Sequence, residues 1–185
     1  MAYSERLESP RYERIHGVEV MLARPMISHL QVAANLLFIL KGYLRGKRCK
    51  VYAEPDVYFD EDNHCIPDLV IVCDPGKIKV AHIEGAPDFV AEILSPSTGN
   101  YDMGAKMDIY ERFGVREYWL IDPKSKAIMV YLLQDGRYVF SGRYTVLEEG
   151  EAEALNEKEL AEHKLSLKLS LYDDLEIKVQ DVFED

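Results

Sequence analysis

The sequence predicts one α/β domain built on a central sheet, and three observations carry that prediction. Short β-rich apolar runs bounded by turn residues recur along the chain, helical patterns are interleaved with them, and no repeat or low-complexity linker interrupts the series. At 185 residues, with 48% hydrophobic and 30% charged side chains, the chain can bury a core without staples and is too apolar for disorder.

Tyr12 to Leu22 is expected to form a strand hairpin turning at Gly17. Met26 to Arg45 has the spacing of a long amphipathic helix, with Ser28 as its N-cap and Gly46 as its stop. Val51 to Asp60 alternates like a strand, with Pro55 marking an edge or a bulge. Ile66 to Cys73 and Asp88 to Leu94 are β-rich apolar runs. Ser95-Pro96-Ser97-Thr98-Gly99 then breaks the chain and caps a second helix, Asn100 to Phe113, which Gly114 closes. Glu117 to Ile121 and Ala127 to Leu133 are strands, and Asp135-Gly136 turns a hairpin into Tyr138–Phe140. The tail combines a charged helical stretch, Glu151 to Glu162, with alternating Leu165, Leu167, Leu169 and Leu171. The core is expected over about residues 12–140, with a C-terminal extension at 141–185.

Charge narrows the function classes. The net charge is −11, an argument against a general nucleic-acid coat, whose affinity rests on phosphate neutralisation. The balance is uneven: +5 over residues 1–50 and −8 over residues 51–100. Lys41, Arg45, Lys47, Arg48 and Lys50 form a local basic footprint at the end of the first helix. The opening residues are polar and charged, unlike a secretory signal, and the apolar runs fall far short of the ~20 residues of a membrane span. Cys49, Cys65 and Cys73 form no CxxC pair and read as free thiols in a reducing cytoplasm.

Several polar residues fall where a core should be. On the second helix, Lys106 lies inside the apolar arc of Ile109, Phe113, Tyr110, Met103 and Met107, with Asp102 at its edge. A lysine there either snorkels out or finds a buried anion. On the first helix His29 lies near the middle of the apolar arc, while Phe38 lies on the polar side and marks a candidate surface for a second copy. Strand alternation supplies anions: Asp68 shares a face with Val70 and Val72, and Glu92 shares one with Val90 and Leu94. Antiparallel pairing of those two strands brings the carboxylates together. Side by side they repel, unless a proton or a cation such as Mg²⁺ lies between them. Glu54 is a third acid expected near the same place.

Pro67-Asp68, Glu92-Ile93-Leu94-Ser95-Pro96-Ser97-Thr98, Lys106 and Gly114-Val115-Arg116-Glu117-Tyr118-Trp119-Leu120-Ile121-Asp122-Pro123 together resemble the Uma-two family of restriction endonucleases, a bacterial branch of the PD-(D/E)xK superfamily. The likeness runs from about Tyr12 to Tyr138 and includes His29 and Asn35. It implies a restriction-endonuclease-like core, a mixed sheet flanked by helices with the site on one face. Asp68 matches the aspartate of the PD element and Glu92 the acid of the (D/E)xK element. The lysine position two residues later is Leu94, a departure that Lys106 on the following helix would make good.

The activity implied is Mg²⁺- or Mn²⁺-dependent hydrolysis of DNA phosphodiester bonds. Asp68 and Glu92 are then the metal ligands and Lys106 the third catalytic group. Glu54 and His29 are expected as second-shell or additional ligands, and Lys41, Arg45, Lys47 and Arg48 as the DNA-steering residues. The alternative, favoured by the acidic total and by Leu94, is a catalytically inert nuclease-fold module that binds nucleic acid or a protein partner.

Overall fold

The computed structural model describes residues 11–95, 103–147, 150 and 164–184. The chain opens with the expected hairpin, strands β1 (Tyr12–Ile15) and β2 (Val18–Met21). His16 and Gly17 turn it with φ of 50° and 79°, the positive values that a two-residue hairpin loop requires. Helix α1 (Ile27–Tyr43) follows. Its first bond runs from Leu30 N–H to Met26 C=O, so Ser28 lies inside the first turn and is not the cap. The helix ends at the Leu44 cap, short of the expected stop, and Gly46, at φ 79°, lies in the turn that follows.

The run predicted over Val51 to Asp60 divides. Strand β3 (Lys50–Ala53) belongs to one sheet and β4 (Asp56–Tyr58) to another. The switch occurs at Glu54-Pro55, where Glu54 takes a φ of 47°. Then come β5 (His64–Cys65), β6 (Leu69–Val72), a single 3₁₀ turn (Pro75–Lys77), β7 (His82–Glu84) and β8 (Phe89–Ile93). Helix α2 (Ala105–Phe113) ends at Gly114, whose φ of 86° gives the left-handed cap. Strands β9 (Glu117–Asp122), β10 (Ala127–Gln134) and β11 (Arg137–Thr145) form a meander. Its second turn, Asp135-Gly136, again has two positive φ values, 50° and 78°. Strands β12 (Ser166–Lys168) and β13 (Glu176–Lys178) pair with each other and lead into the short helix α3 (Val179–Phe183). The stretch predicted helical from Glu151 to Glu162 lies outside the described residues.

The fold is mixed α+β. A six-stranded sheet runs β11-β10-β9-β8-β6-β3, antiparallel except for the β8–β9 pair. A five-stranded sheet runs β2-β1-β5-β4-β7, with β4 and β7 parallel. Alternation along the central strands sends side chains to two cores. Phe89, Ala91, Ile93, Trp119 and Ile121 face α1, the β12–β13 ribbon and α3. Val70, Val90, Tyr118 and Leu120 face α2 and the smaller sheet. Strand β11 runs through residue 140, and Leu167, Leu169, Ile177, Val179 and Val182 of the tail are buried in the α1-side core.

The cysteine expectation is corrected. Cys49 and Cys73 form a disulfide, and Cys65 is a buried free thiol. The two flank the Lys50↔Val72 pair at the end of the β3–β6 ladder, so strand register places them face to face. The bridge spans a sequence separation of 24, and replacing both cysteines by Ser is expected to lower stability by about 3 kcal/mol. The midpoint of denaturant unfolding checks this. An unchanged midpoint would show that the ladder alone holds that edge.

Candidate active site

Strands β6 and β8 pair antiparallel, with Leu69 opposite Ala91. One further step along the same register sets Asp68 against Glu92, as the sequence reading expected. Asp68 stands just before β6, and its Oδ2 accepts a hydrogen bond from Ile93 N–H at 2.6 Å. Its other oxygen lies 3.0 Å from His29 Nε2, so the first turns of α1 reach the same strand end. Both side chains of that pair are largely buried, with 11% and 14% of their surfaces exposed.

Glu92 points toward α2. Lys106 and Tyr110 are one turn apart on that helix and therefore face it together. Lys106 Nζ lies 2.6 Å from Glu92 Oε1, and Tyr110 donates its hydroxyl proton to the same oxygen at 2.6 Å. Burial, reinforced by the Glu92 carboxylate, holds the Tyr110 hydroxyl well above its ordinary pKa, so it stays a donor. Lys106 does not snorkel: it is 3% exposed. Met103, placed in the same arc by the sequence, is exposed because it precedes the helix.

A third carboxylate completes the cluster, and sequence reading missed it. Glu13, on β1, sets its Oε1 3.0 Å from Lys106 Nζ and accepts the Ile66 N–H at 2.8 Å. Glu13 therefore holds both the lysine and the segment that delivers Asp68. Its signal was present: Glu13 and Ile15 alternate onto one face of a four-residue strand, and both are buried. Burying a lysine is costly unless it is paired, and here two carboxylates flank it.

The remaining predicted residues lie elsewhere. The Glu54 carboxylate bonds Arg11 at 2.8 Å, because the positive φ at Glu54 turns its side chain outward. Only its backbone touches the site, through Glu54 N–H to Asp68 C=O at 3.0 Å. Lys41 is exposed on the C-terminal half of α1 and Arg45 in the turn just beyond it, about 18 Å along the helix from His29 to Lys41. Lys47 lies over the rings of Tyr43 and Tyr172, and Arg48 bonds Cys73 C=O. Pro96 to Thr98 and Asp102 fall outside the described residues.

Among the described residues, no group of three or more His, Cys, Asp or Glu is arranged to hold a metal. Two hard carboxylates on adjoining strands nevertheless match the donor set of Mg²⁺, which keeps most of its waters and takes one or two acids from the protein. The residues present fit such an ion. His29 stands as the outer partner of Asp68, the position from which a side chain orients a ligating carboxylate.

Comparison with known proteins bears on family and fold. The model of the Uma2 family, described as "Putative restriction endonuclease", matches residues 2–170. The uncharacterized protein slr1290 of Synechocystis sp. is 26% identical over 135 residues, covering 71% of this chain and 70% of that protein. A crystal structure of a putative nuclease belonging to DUF820 from Anabaena variabilis shares the fold, with a TM-score of 0.72 at 19% identity over 95% of this chain and 91% of the other. No helix among the described residues is long and apolar enough to cross a membrane.

Proposed function

This chain belongs to the Uma2 restriction-endonuclease family, and from that premise we propose that it is a metal-dependent endonuclease hydrolysing DNA phosphodiester bonds. The observation that carries the reading is that the register of the β6–β8 pair sets Asp68 opposite Glu92 at one strand end, with Lys106 buried against Glu92. Lys106 reaches Glu92 from a helix, and so supplies the ammonium that Leu94 does not.

Asp68 and Glu92 are the residues that would hold Mg²⁺ or Mn²⁺. When bound, such an ion polarises the phosphate and lowers the pKa of a bound water. His29 fixes the Asp68 carboxylate through Nε2, and the Ile93 N–H fixes its other oxygen. Both contacts hold the carboxylate in one orientation before substrate arrives. Lys106 Nζ is the group that would orient the attacking water and meet the charge growing on the phosphate oxygens. Tyr110 and Glu13 keep Glu92 and Lys106 in place. A bacterial setting accompanies this reading, with DNA approaching the exposed side of Asp68.

The test begins with calorimetric titration of Mn²⁺ into the wild type and into Asp68→Asn, followed by cleavage of plasmid DNA. Asparagine keeps an acceptor for the Ile93 N–H, so the variant is expected to fold. Metal binding should disappear, and cleavage should fall at least about 100-fold. Cleavage unchanged in Asp68→Asn would overturn the assignment.

A further inference from the structure

Helix α1 is apolar over most of its circumference, apart from a polar strip of Ser28, Gln31 and Asn35, but only one side of it faces the core. His29, Val32, Leu36 and Leu40 are buried against the sheet. The outward side carries Ile27, Leu30, Ala34 and Phe38, followed by Lys41 and Arg45. These positions fall within about 80° of one another on the helix, the seam of a helix–helix contact. Ile27 and Phe38 are each 81% exposed, Met26 56% and Leu30 46%. An exposed apolar stripe of this extent on a helix is normally covered by another surface.

We propose that this face is the interface of a homodimer, in which α1 packs antiparallel against α1 of a second copy with Ala34 at the two-fold axis. The occupant follows from self-complementarity. Reflection about Ala34 sets Leu30 against Phe38, Ile27 against Lys41 and Met26 against Gly42. The two ends differ in shape as this pairing needs. The N-terminal end presents the exposed side chains of Met26 and Ile27. The C-terminal end has a groove of about 550 Å³ between α1 and β3, lined by Phe38, Lys41, Gly42, Arg45 and Tyr52 among others. No atom stands within 4 Å of where a Gly42 side chain would begin, so the groove is open at the point that Met26 would reach. The aliphatic stem of Lys41 covers Ile27 while its ammonium stays in water.

Area supports a second copy. The exposed surface of Met26, Ile27, Leu30 and Phe38 amounts to about 500 Å². With Gln31, Ala34, Lys41, Gly42 and Arg45 around it, the face approaches the ~800 Å² per partner of a stable interface. Ala34, the smallest side chain on the stripe, lies where two helix axes 8–10 Å apart need the least bulk. The dimer does not depend on the chain cleaving DNA.

Sedimentation of the full chain at tens of micromolar tests this, with Phe38→Glu, Leu30→Glu, Ala34→Cys and Arg143→Cys alongside the wild type. The wild type should sediment at twice 21.3 kDa. Each glutamate variant should remain folded, since both sites are exposed, and should weaken association at least about thirtyfold. Across the axis the two Ala34 Cα atoms would stand about 4–6 Å apart, within disulfide reach. Mild oxidation should therefore cross-link Ala34→Cys and leave Arg143→Cys, on the exposed β11 edge, uncross-linked. A monomeric wild type would overturn the proposal and leave the face to a different protein. A dimer that survives both glutamates, or Ala34→Cys that does not cross-link, would also overturn it and direct attention to the exposed Val139 and Phe140 on β11.

Discussion

Lys106→Met is expected to destabilise the fold by about 3–5 kcal/mol, because it leaves Glu13 and Glu92 buried without their cation. Both carboxylates are 3% exposed, so water cannot take the place of the ammonium. Glu13→Gln alone should cost far less. The amide oxygen still accepts the Ile66 N–H, and Lys106 keeps its 2.6 Å contact with Glu92. Combining Glu13→Gln with Lys106→Met should recover part of the loss, since one buried negative charge is then removed together with the positive one. Urea unfolding of the two single variants and the double variant forms a cycle whose interaction energy measures the coupling. A cost below about 1 kcal/mol for Lys106→Met would contradict the buried placement. The result also bears on catalysis: a cleavage-dead Lys106 variant is informative only if its fold is intact, which makes Lys106→Arg the better probe of the chemistry.

Glu117→Ala is expected to cost about 3 kcal/mol, because its carboxylate is fully buried and accepts three hydrogen bonds. These come from Trp119 Nε1–H at 2.6 Å, Ser170 N–H at 2.8 Å and the Ser170 hydroxyl at 2.5 Å. Through them β9 anchors the tail that covers Trp119, so proteolysis within residues 164–184 should accelerate along with the loss of stability. Burial raises the Glu117 pKa above 4.5, while Ser170 and Trp119 pull it back. The folded chain therefore binds this proton more tightly than the unfolded one. Its contribution to stability is complete below pH 4.5 and declines as pH rises through the raised folded value. Glu117→Gln removes that decline from a plot of unfolding free energy against pH. A plot with the same slope in both proteins would assign the pH dependence to other groups.

Periodicity made much of this site legible. Lys106 stood out because it occupied an apolar arc, and the fold buries it there. Asp68 and Glu92 were matched through alternation and a short connection, and β6 and β8 do pair antiparallel. Glu13 was readable by the same alternation, but its strand is four residues long and its partner strand β5 only two. Such lengths give period-2 patterning too few repeats to register. The β1–β2 hairpin was expected, but its pairing with β5 into a second sheet was missed for that reason, and with it the inward role of Glu13. Glu54 failed as a site residue for a different cause: a left-handed backbone at a sheet switch directs its side chain by geometry that no periodicity encodes. The Cys49–Cys73 bridge follows from the β3–β6 register, which sequence spacing does not state.

The division of the central sheet into two cores also sets an order in time. The α2-side core, with Ile15, Val57, Ile109 and Tyr118 among its members, draws on nothing later than Tyr138 among the described residues. The α1-side core waits for Leu167, Leu175, Val179 and Val182, and Asn35 waits for the carbonyls of Val182 and Glu184. As the chain leaves the ribosome, the layer holding Lys106 and Glu92 has all its members before the opposite layer does. During that interval Trp119 and Ile121 lack part of their cover, and the nascent chain presents an apolar face of the kind that molecular chaperones bind.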